Sequence, residues 1–186
     1  MTIYLKQKGK LYIIGREVEK GGEGKDMVKI DLLCVGKIKE AYLKAGIDEY
    51  KKRLSRYCRL EILEVADERT PEEASAAEED QIRKREGERL LRLLKTDAYV
   101  IALAIEGRQF DSVGLARELE RIPLSGTSQI QFVIGGSLGL HPDILKRADL
   151  LLSFSKLTFP HQLMRLLFLE QLYRTYRIQK NEPYHK

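Results

Sequence analysis

The sequence has no tryptophan and only two cysteines, and it contains no apolar run long enough to cross a membrane. Such a span needs about 18 or more consecutive apolar residues. Cys34 and Cys58 follow no regular spacing, so they indicate neither a disulfide framework nor a metal site, and we interpret both as structural. Because the N-terminus also lacks the features of a secretory signal, we expect a cytoplasmic protein without a membrane or metal partner.

The sequence also lacks a strong overall charge. Its formal net charge is +5 over 186 residues, which is too small by itself to indicate a nucleic-acid partner. Residues 156–186 contain six basic and two acidic residues, whereas residues 27–155 contain 21 basic and 22 acidic residues. The positive charge of the main body is therefore concentrated at its C-terminal end.

The first 26 residues differ from the rest of the chain. Residues 19–26 are polar and glycine-rich without hydrophobic periodicity, and a clear strand pattern begins at Met27. We interpret residues 1–26 as an extension that is non-native or comes from a mis-assigned start, and the alternative is a basic arm that contacts RNA. Residues 27–186 fall within the size of one compact domain.

From Met27 onwards, short apolar runs alternate with longer helical patterns. These patterns predict strands at 29–35, 60–65, 98–105, 129–134 and 150–154, and helices at 40–57, 71–94, 112–121, 142–148 and 160–179. We expect Pro71 in the first turn of its helix. The alternation of strand and helix predicts an α/β fold with a mostly parallel sheet that is covered by helices on both faces.

A glycine-rich segment, Gly135-Gly136-Ser137-Leu138-Gly139, directly follows the strand pattern at 129–134. Glycines at the carboxyl end of a strand let backbone N–H groups approach a ligand, and this edge is the usual ligand site of open α/β sheets. The segment lacks both the lysine of a phosphate-binding loop and the Gly-x-Gly-x-x-Gly spacing. It is therefore either another kind of ligand loop or a tight turn that needs positive φ.

A second loop, residues 154–161, links the last strand to the last helix. Pro160 suits the first turn of that helix, and we expect Thr158 to accept hydrogen bonds from its free N–H groups. The loop is either a capped helix start or a wall of backbone and apolar groups that faces the glycine-rich segment, since both follow strand ends.

The last helix is apolar nearly all round at residues 163–173, which indicates burial on several sides and favours a homodimer. The chain then ends on Tyr184, His185 and Lys186. An aromatic ring, an imidazole and a cation together are suited to stack on an unpaired base and to neutralise phosphate. The alternative is a frayed terminus without a function.

Five motifs, in this order and spacing, resemble the SPOUT-class family of pseudouridine N3-methyltransferases that act on the large ribosomal subunit. They are VGK at 35–37, IGGSLG at 134–139, SFSKLTFPHQ at 153–162, EQLYR at 170–174 and PYHK at 183–186. The resemblance covers residues 27–186, and residues 1–26 have no counterpart in the family.

The resemblance implies a SPOUT fold whose C-terminal part threads through a loop and forms a deep trefoil knot, against the usual rule that chains avoid knots. It implies a homodimer that uses S-adenosylmethionine to methylate N3 of a pseudouridine in 23S ribosomal RNA, on assembled large subunits or 70S ribosomes. The matching positions imply cofactor contacts at Leu103, Gly135, Phe154, Ser155, Lys156, Leu157, Thr158 and Phe159.

A sulfonium methyl group is already activated, so such a protein mainly has to align it with the attacking nitrogen and remove the N3 proton. We expect His161 or His185 to take this proton, because the ordinary pKa of imidazole suits a general base; for each, a positioning role is the alternative. We expect Arg165 to hold a target phosphate or carbonyl oxygen through forked contacts, and Tyr184, His185 and Lys186 to contact the RNA.

Three other interpretations stay open. The fold alone would allow a SPOUT methyltransferase that acts on transfer RNA, although the Tyr-His-Lys ending argues against it. A ribosome-associated assembly protein would keep the fold without methyl transfer and would fail to bind or turn over S-adenosylmethionine. A conventional nucleotide-binding α/β enzyme is disfavoured by the incomplete glycine pattern.

Overall fold

The computed structural model describes residues 27–183 and, before them, only the backbone of three short strands. These are β1 (Tyr4–Gln7), β2 (Lys10–Ile13) and β3 (Arg16–Glu17), which pair antiparallel in that order. The polar residues 19–26 lie outside the described residues. The interpretation of 1–26 as a non-native or mis-started extension stays a prediction.

The main body contains a five-stranded parallel sheet. Its strands are β4 (Lys29–Val35), β5 (Arg59–Val65), β6 (Tyr99–Gln109), β7 (Gln129–Ile134) and β8 (Leu150–Ser153). They lie in the order β5-β4-β7-β6-β8, and every neighbouring pair is parallel. All five carboxyl ends therefore lie at one edge, which brings together loops that are far apart in the chain.

Five helices cover the two faces of the sheet. They are α1 (Ala41–Leu54), α2 (Ala76–Leu91), α3 (Ser112–Leu124), α4 (Pro142–Arg147) and α5 (His161–Gln179). Alternate residues of β4 point to opposite faces: Ile30 and Leu32 join the core under α1, α3 and α5, whereas Leu33 and Val35 join the core under α2 and α4. This arrangement confirms the predicted α/β fold with helices on both faces.

The helix predicted from Pro71 begins five residues later, so the placement of Pro71 in its first turn is wrong. The reason is a capping box: the Ser75 hydroxyl accepts the Glu78 N–H at 3.3 Å, and the Glu78 carboxylate accepts the Ser75 N–H at 2.8 Å. This pair satisfies free N–H groups of the first turn, which no proline in the preceding loop would do.

Strand β6 runs past its predicted end at residue 105 because it pairs with β8 twice. Leu103 is opposite Leu152, and after a shift of register Arg108 is opposite Leu152 as well. Residues 104–107 form the irregular stretch between the two pairings. A Cβ at Gly107 would lie 2.7 Å from the carbonyl carbon of Leu151, so only glycine allows this approach.

Both cysteines are buried and carry free thiols. Burial raises the pKa of Cys34 to about 12 and that of Cys58 to about 12, which keeps the two thiols protonated and unreactive. Their interpretation as structural residues agrees with these surroundings. Among residues 27–183, no helix has the combined length and apolar character that a membrane crossing needs.

Candidate functional site

Three chain segments meet at the carboxyl edge of the sheet and enclose a cavity of about 200 Å³. The segments are the irregular stretch of β6, the glycine-rich loop after β7 and the loop between β8 and α5. The cavity is lined by residues 103–105, 134–137, 139, 152–155 and 157–159, together with His161 and Met164. The structure therefore brings the loops at the ends of these three strands to one place.

Most positions expected to contact a cofactor lie on this cavity. Leu103 and Gly135 line it, and so do Phe154, Ser155, Leu157, Thr158 and Phe159. Lys156 is exposed and does not line the cavity. The contacts of these residues with a cofactor stay predictions.

The glycine-rich loop needs its glycines for two different reasons. Gly139 has φ +81°, a left-handed conformation, and its N–H donates to the Gly136 carbonyl at 3.2 Å. Gly135 and Gly136 lack positive φ, but a Cβ at Gly135 would lie 2.7 Å from the backbone of Gly139, and one at Gly136 would lie 2.8 Å from Glu86 Oε2. The segment is thus a tight turn and also a wall of the cavity.

The loop between β8 and α5 is organised by serines. Ser153 Oγ donates to the Ser155 carbonyl at 3.0 Å, and Ser155 Oγ accepts the Leu157 N–H at 2.9 Å. The prediction that Thr158 caps the last helix is wrong, because α5 begins at His161 with Pro160 at the N-cap and no side-chain cap. Thr158 precedes the N-cap by two residues and lines the cavity instead.

His161 is the first residue of α5, lies half-buried and lines the cavity. Its Nε2 lies 3.6 Å from the place that a Cβ on Gly36 would occupy, at the end of β4. Burial lowers the pKa of His161 below its ordinary 6.5 and the positive charge of Arg165 lowers it further, while Asp67 and Glu40 oppose the shift. The imidazole is therefore neutral at pH 7 and able to accept a proton.

A family model described as "Predicted SPOUT methyltransferase" matches residues 28–185. The chain belongs to the SPOUT methyltransferase family. The chain is 62% identical to the "Ribosomal RNA large subunit methyltransferase H" of Bifidobacterium adolescentis over 159 residues, which cover 86% of this chain and 100% of the relative. It is 56% identical to the protein of the same name from Lysinibacillus sphaericus, with the same coverage of both chains.

A solved structure, described as a probable methylase family protein from Haemophilus influenzae Rd KW20, is 12% identical to this chain and covers 84% of it, against 70% of its own length. The TM-score is 0.48. The assignment of the chain to the SPOUT family therefore depends on the sequence matches.

Arg165 of the SPOUT domain is only 1% exposed. Its guanidinium donates to Glu64 Oε1 at 2.7 Å, to the Val35 carbonyl at 2.6 Å and to the Gly36 carbonyl at 2.8 Å. These bonds tie the first turns of α5 to the carboxyl end of β4, one helical turn from His161. All three bonds are made within the protein, and the expected contact of Arg165 with RNA stays a prediction.

Tyr184, His185 and Lys186 lie outside the described residues. The chain just before them is attached to the side of α5. The Glu182 carboxylate accepts the Tyr57 hydroxyl at 2.5 Å and pairs with Arg177 at 2.8 Å, and the Pro183 carbonyl accepts from Arg177 at 3.3 Å. The path of the chain toward the tail is therefore held by named contacts up to Pro183.

The loop between β5 and α2, residues 66–75, also borders the site, and no sequence pattern indicated it. Thr70 Oγ1 lies 3.4 Å from Ser137 Oγ in the glycine-rich loop. A Cβ atom at Gly36 would lie 3.5 Å from Asp67 Cγ. This loop is polar and carries no motif. Only the position of β5 beside β4 in the sheet, which no local pattern encodes, would have indicated it.

A second cavity of about 530 Å³ lies beside the first and shares four lining residues with it, Leu152, Ser153, Phe154 and Phe159. Its other walls come from the start of α3 and from Leu167 and Gln171 of α5. It is larger, but no residue of the glycine-rich loop lines it. The first cavity is therefore the better candidate for a ligand held by backbone groups.

Proposed function

We propose that this chain is an S-adenosylmethionine-dependent methyltransferase of the large ribosomal subunit RNA, which methylates N3 of a pseudouridine on assembled subunits or 70S ribosomes. One observation carries the proposal: three distant segments converge on one cavity at positions where the family resemblance implies the cofactor. The names of the curated relatives support the RNA substrate. The resemblance of the five motifs supports the pseudouridine and its N3 atom.

The residues of the cavity fit this cofactor. Of the described residues that line it, none is Lys, Arg, Asp or Glu, and His161 is the one histidine. A cationic sulfonium therefore meets no positively charged wall in the neutral state of His161. Leu103, Leu157 and Met164 offer apolar contacts to the adenine ring and the methionine chain, and the backbone of the glycine-rich loop offers hydrogen bonds.

When bound, S-adenosylmethionine supplies a methyl group that is already activated for attack. The chain then has to hold the target base in line and accept its N3 proton. We assign the proton to His161, whose neutral imidazole lines the cavity. His185 is the alternative acceptor, and Tyr184, His185 and Lys186 contact the RNA in this proposal.

In this proposal Arg165 acts mainly as a buried residue that positions α5. Its bonds to the end of β4 hold the first turns of α5 in place, and this fixes His161 beside the cavity. A direct contact with the RNA, as expected from the sequence, would require the guanidinium to leave partners that it now shares with Glu64 and the backbone.

We also propose a homodimer and a C-terminal trefoil knot. The double pairing of β6 with β8 around the irregular residues 104–107 supports a threaded chain, because β8 continues into α5 through the loop that lines the cavity. Half-buried apolar residues of α5, among them Leu163 and Leu167, and the open second cavity beside them support a second copy of the chain at this face. Ribosomal RNA as the substrate supports a cytoplasmic location.

The deciding experiment incubates purified 70S ribosomes and large subunits with S-adenosylmethionine that is labelled in its methyl group, and then maps the labelled base. We expect one labelled pseudouridine in the large-subunit RNA and no label on ribosomes that lack this pseudouridine. Label in transfer RNA would contradict the proposed substrate. Binding of the donor without any transfer would instead favour an assembly protein.

Two further measurements test the remaining parts. We expect a chain that begins at Met27 to methylate at the same rate as the full chain, because the family match begins at residue 28. Light scattering is expected to give twice the mass of 21.5 kDa calculated for one chain. A monomer with full activity would contradict the homodimer.

A further inference from the structure

Glu86 is a buried carboxylic acid that the proposed reaction does not use. It lies on α2 and is only 4% exposed. Oε1 accepts the backbone N–H of Glu68 at 2.9 Å, whereas Oε2 has no hydrogen-bond partner among the described residues. A buried oxygen without a partner costs free energy, so its retention needs an explanation.

The unpartnered oxygen points at the glycine-rich loop. A Cβ atom at Gly136 would lie 2.8 Å from Oε2 and 3.3 Å from Oε1 of Glu86. It would also lie 3.2 Å from Val35 Cγ1. Gly136 does not have positive φ, so its backbone conformation would allow any residue. The closeness of the Glu86 carboxyl group is thus the main reason for glycine at this position.

The same carboxyl group is connected to the loop between β5 and α2. Glu68, whose N–H binds Oε1, forms ion pairs with Arg85 and Arg89, and Arg89 also donates to the Ala66 carbonyl at 2.8 Å. Burial raises the pKa of Glu86, and the charges of Asp67 and Glu68 add to this, while the hydrogen bond from the Glu68 N–H and the charge of Arg89 oppose it. The Glu86 side chain therefore lies between two loops, with one oxygen toward each.

We propose that Glu86 is a positioning residue of the cavity: it touches no ligand, but its carboxyl group holds the glycine-rich loop at a fixed distance from α2 and joins it to the loop between β5 and α2. This inference rests on the proposed function, since it assigns the loop to binding of the methyl donor. Gly135 and Gly136 line the cavity, so a shift of a few tenths of an ångström there alters the fit of backbone groups to the donor.

The first test measures the affinity for S-adenosylmethionine by calorimetry in E86A, E86Q and the control E88A. Glu88 lies on the same helix and is exposed. We expect E86A to raise Kd by about tenfold, the usual effect of losing one buried hydrogen bond together with its packing. E86Q keeps an oxygen for the Glu68 N–H and the same volume, so its Kd is expected to stay within about twofold of wild type, as for E88A.

The second test is a double-mutant cycle with Gly136. In G136A the new methyl group would lie 2.8 Å from Glu86 Oε2, so the carboxyl group has to shift while its Oε1 is bonded to the Glu68 N–H. In E86A/G136A that methyl group occupies the space that the carboxyl group has left. We therefore expect the double variant to bind the donor more tightly than G136A, an effect that independent sites would not show.

Two readouts separate positioning from general stability and from chemistry. With ribosomes as substrate, E86A is expected to raise the KM for the donor about tenfold and to keep kcat within about twofold at saturating donor. Without any ligand, amide hydrogen exchange of residues 135–139 is expected to be faster in E86A than in E88A.

Unchanged exchange and an unchanged Kd in E86A would overturn the positioning role, and so would additive effects in the double-mutant cycle. A lower kcat with an unchanged KM would do the same. If the wild-type protein itself does not bind S-adenosylmethionine, the proposed function fails, and the exchange measurement still decides whether Glu86 holds the loop.

Discussion

Replacing Arg165 with methionine removes three donated hydrogen bonds from the interior while keeping a side chain of similar length. The carbonyls of Val35 and Gly36 lose their donor in a buried place, and each such loss costs about 1–3 kcal/mol. The bond to Glu64 adds little, because that side chain is 32% exposed and solvent screens its charge. We expect R165M to lower the free energy of unfolding by about 3–5 kcal/mol in total.

The assay is urea denaturation followed by circular dichroism, with R165K and E64Q as matched variants. R165K keeps the charge but lacks the planar fork, so we expect about half of the R165M effect. E64Q is expected to cost about 1 kcal/mol or less. At about 2–4 °C per kcal/mol for a chain of this size, R165M should melt roughly 6–20 °C below wild type.

A loss below about 1 kcal/mol in R165M would refute the reasoning, because it would mean that water or another donor satisfies both carbonyls. The same variants test the contact with RNA that the sequence suggested. If R165K stays folded and binds the donor normally but raises the KM for ribosomes with kcat unchanged, the guanidinium acts directly on the substrate. Equal loss of stability and activity would favour the internal role.

Three further changes have defined outcomes. H161Q is expected to lower kcat by about 10²–10⁴-fold with little change in donor affinity. The wild-type kcat should decline in acid around a pH below 6.5, the ordinary pKa of histidine, and this decline should be absent in H161Q. An acid decline that H161Q retains would point to another base. G107A places a methyl group against the backbone of Leu151 and should cost about 1–3 kcal/mol in urea denaturation, so an unaffected midpoint would contradict the close approach. S75A removes half of the capping box of α2 and should cost about 1 kcal/mol in the same assay, whereas S55A, at the exposed C-cap of α1, should cost less.

The parts of the fold that follow from local patterns were predictable. The bounds of β4 and β7 match the predicted strands, because both are mainly apolar, are followed by a glycine and are buried along nearly their whole length. Parallel strands present their carboxyl ends at one edge, so the meeting of the loops after β7 and β8 followed from the predicted order of strands and helices.

The wrong predictions and the missed contacts have a common physical cause. Pro71 and Thr158 were assigned from local preference, but Ser75 formed a better cap at one helix and Pro160 occupied the N-cap of the other. The partners of Arg165 and Glu86 come from strands and loops that are distant in the chain. Their proximity depends on the order of strands in the sheet, and no short stretch of sequence contains that order.

The position of α5 has a consequence for folding during synthesis. This last helix packs against both α1 and α3, and Phe168 meets Phe132 of the central strand with ring centroids 4.5 Å apart. Until α5 has left the ribosome, the face of the sheet that it shares with α1 and α3 is only partly covered, and the apolar residues that α5 buries stay exposed to neighbouring chains. Folding of this domain is thus completed only after α5 (His161–Gln179) has been synthesised, and chains cut short before residue 161 are expected to aggregate.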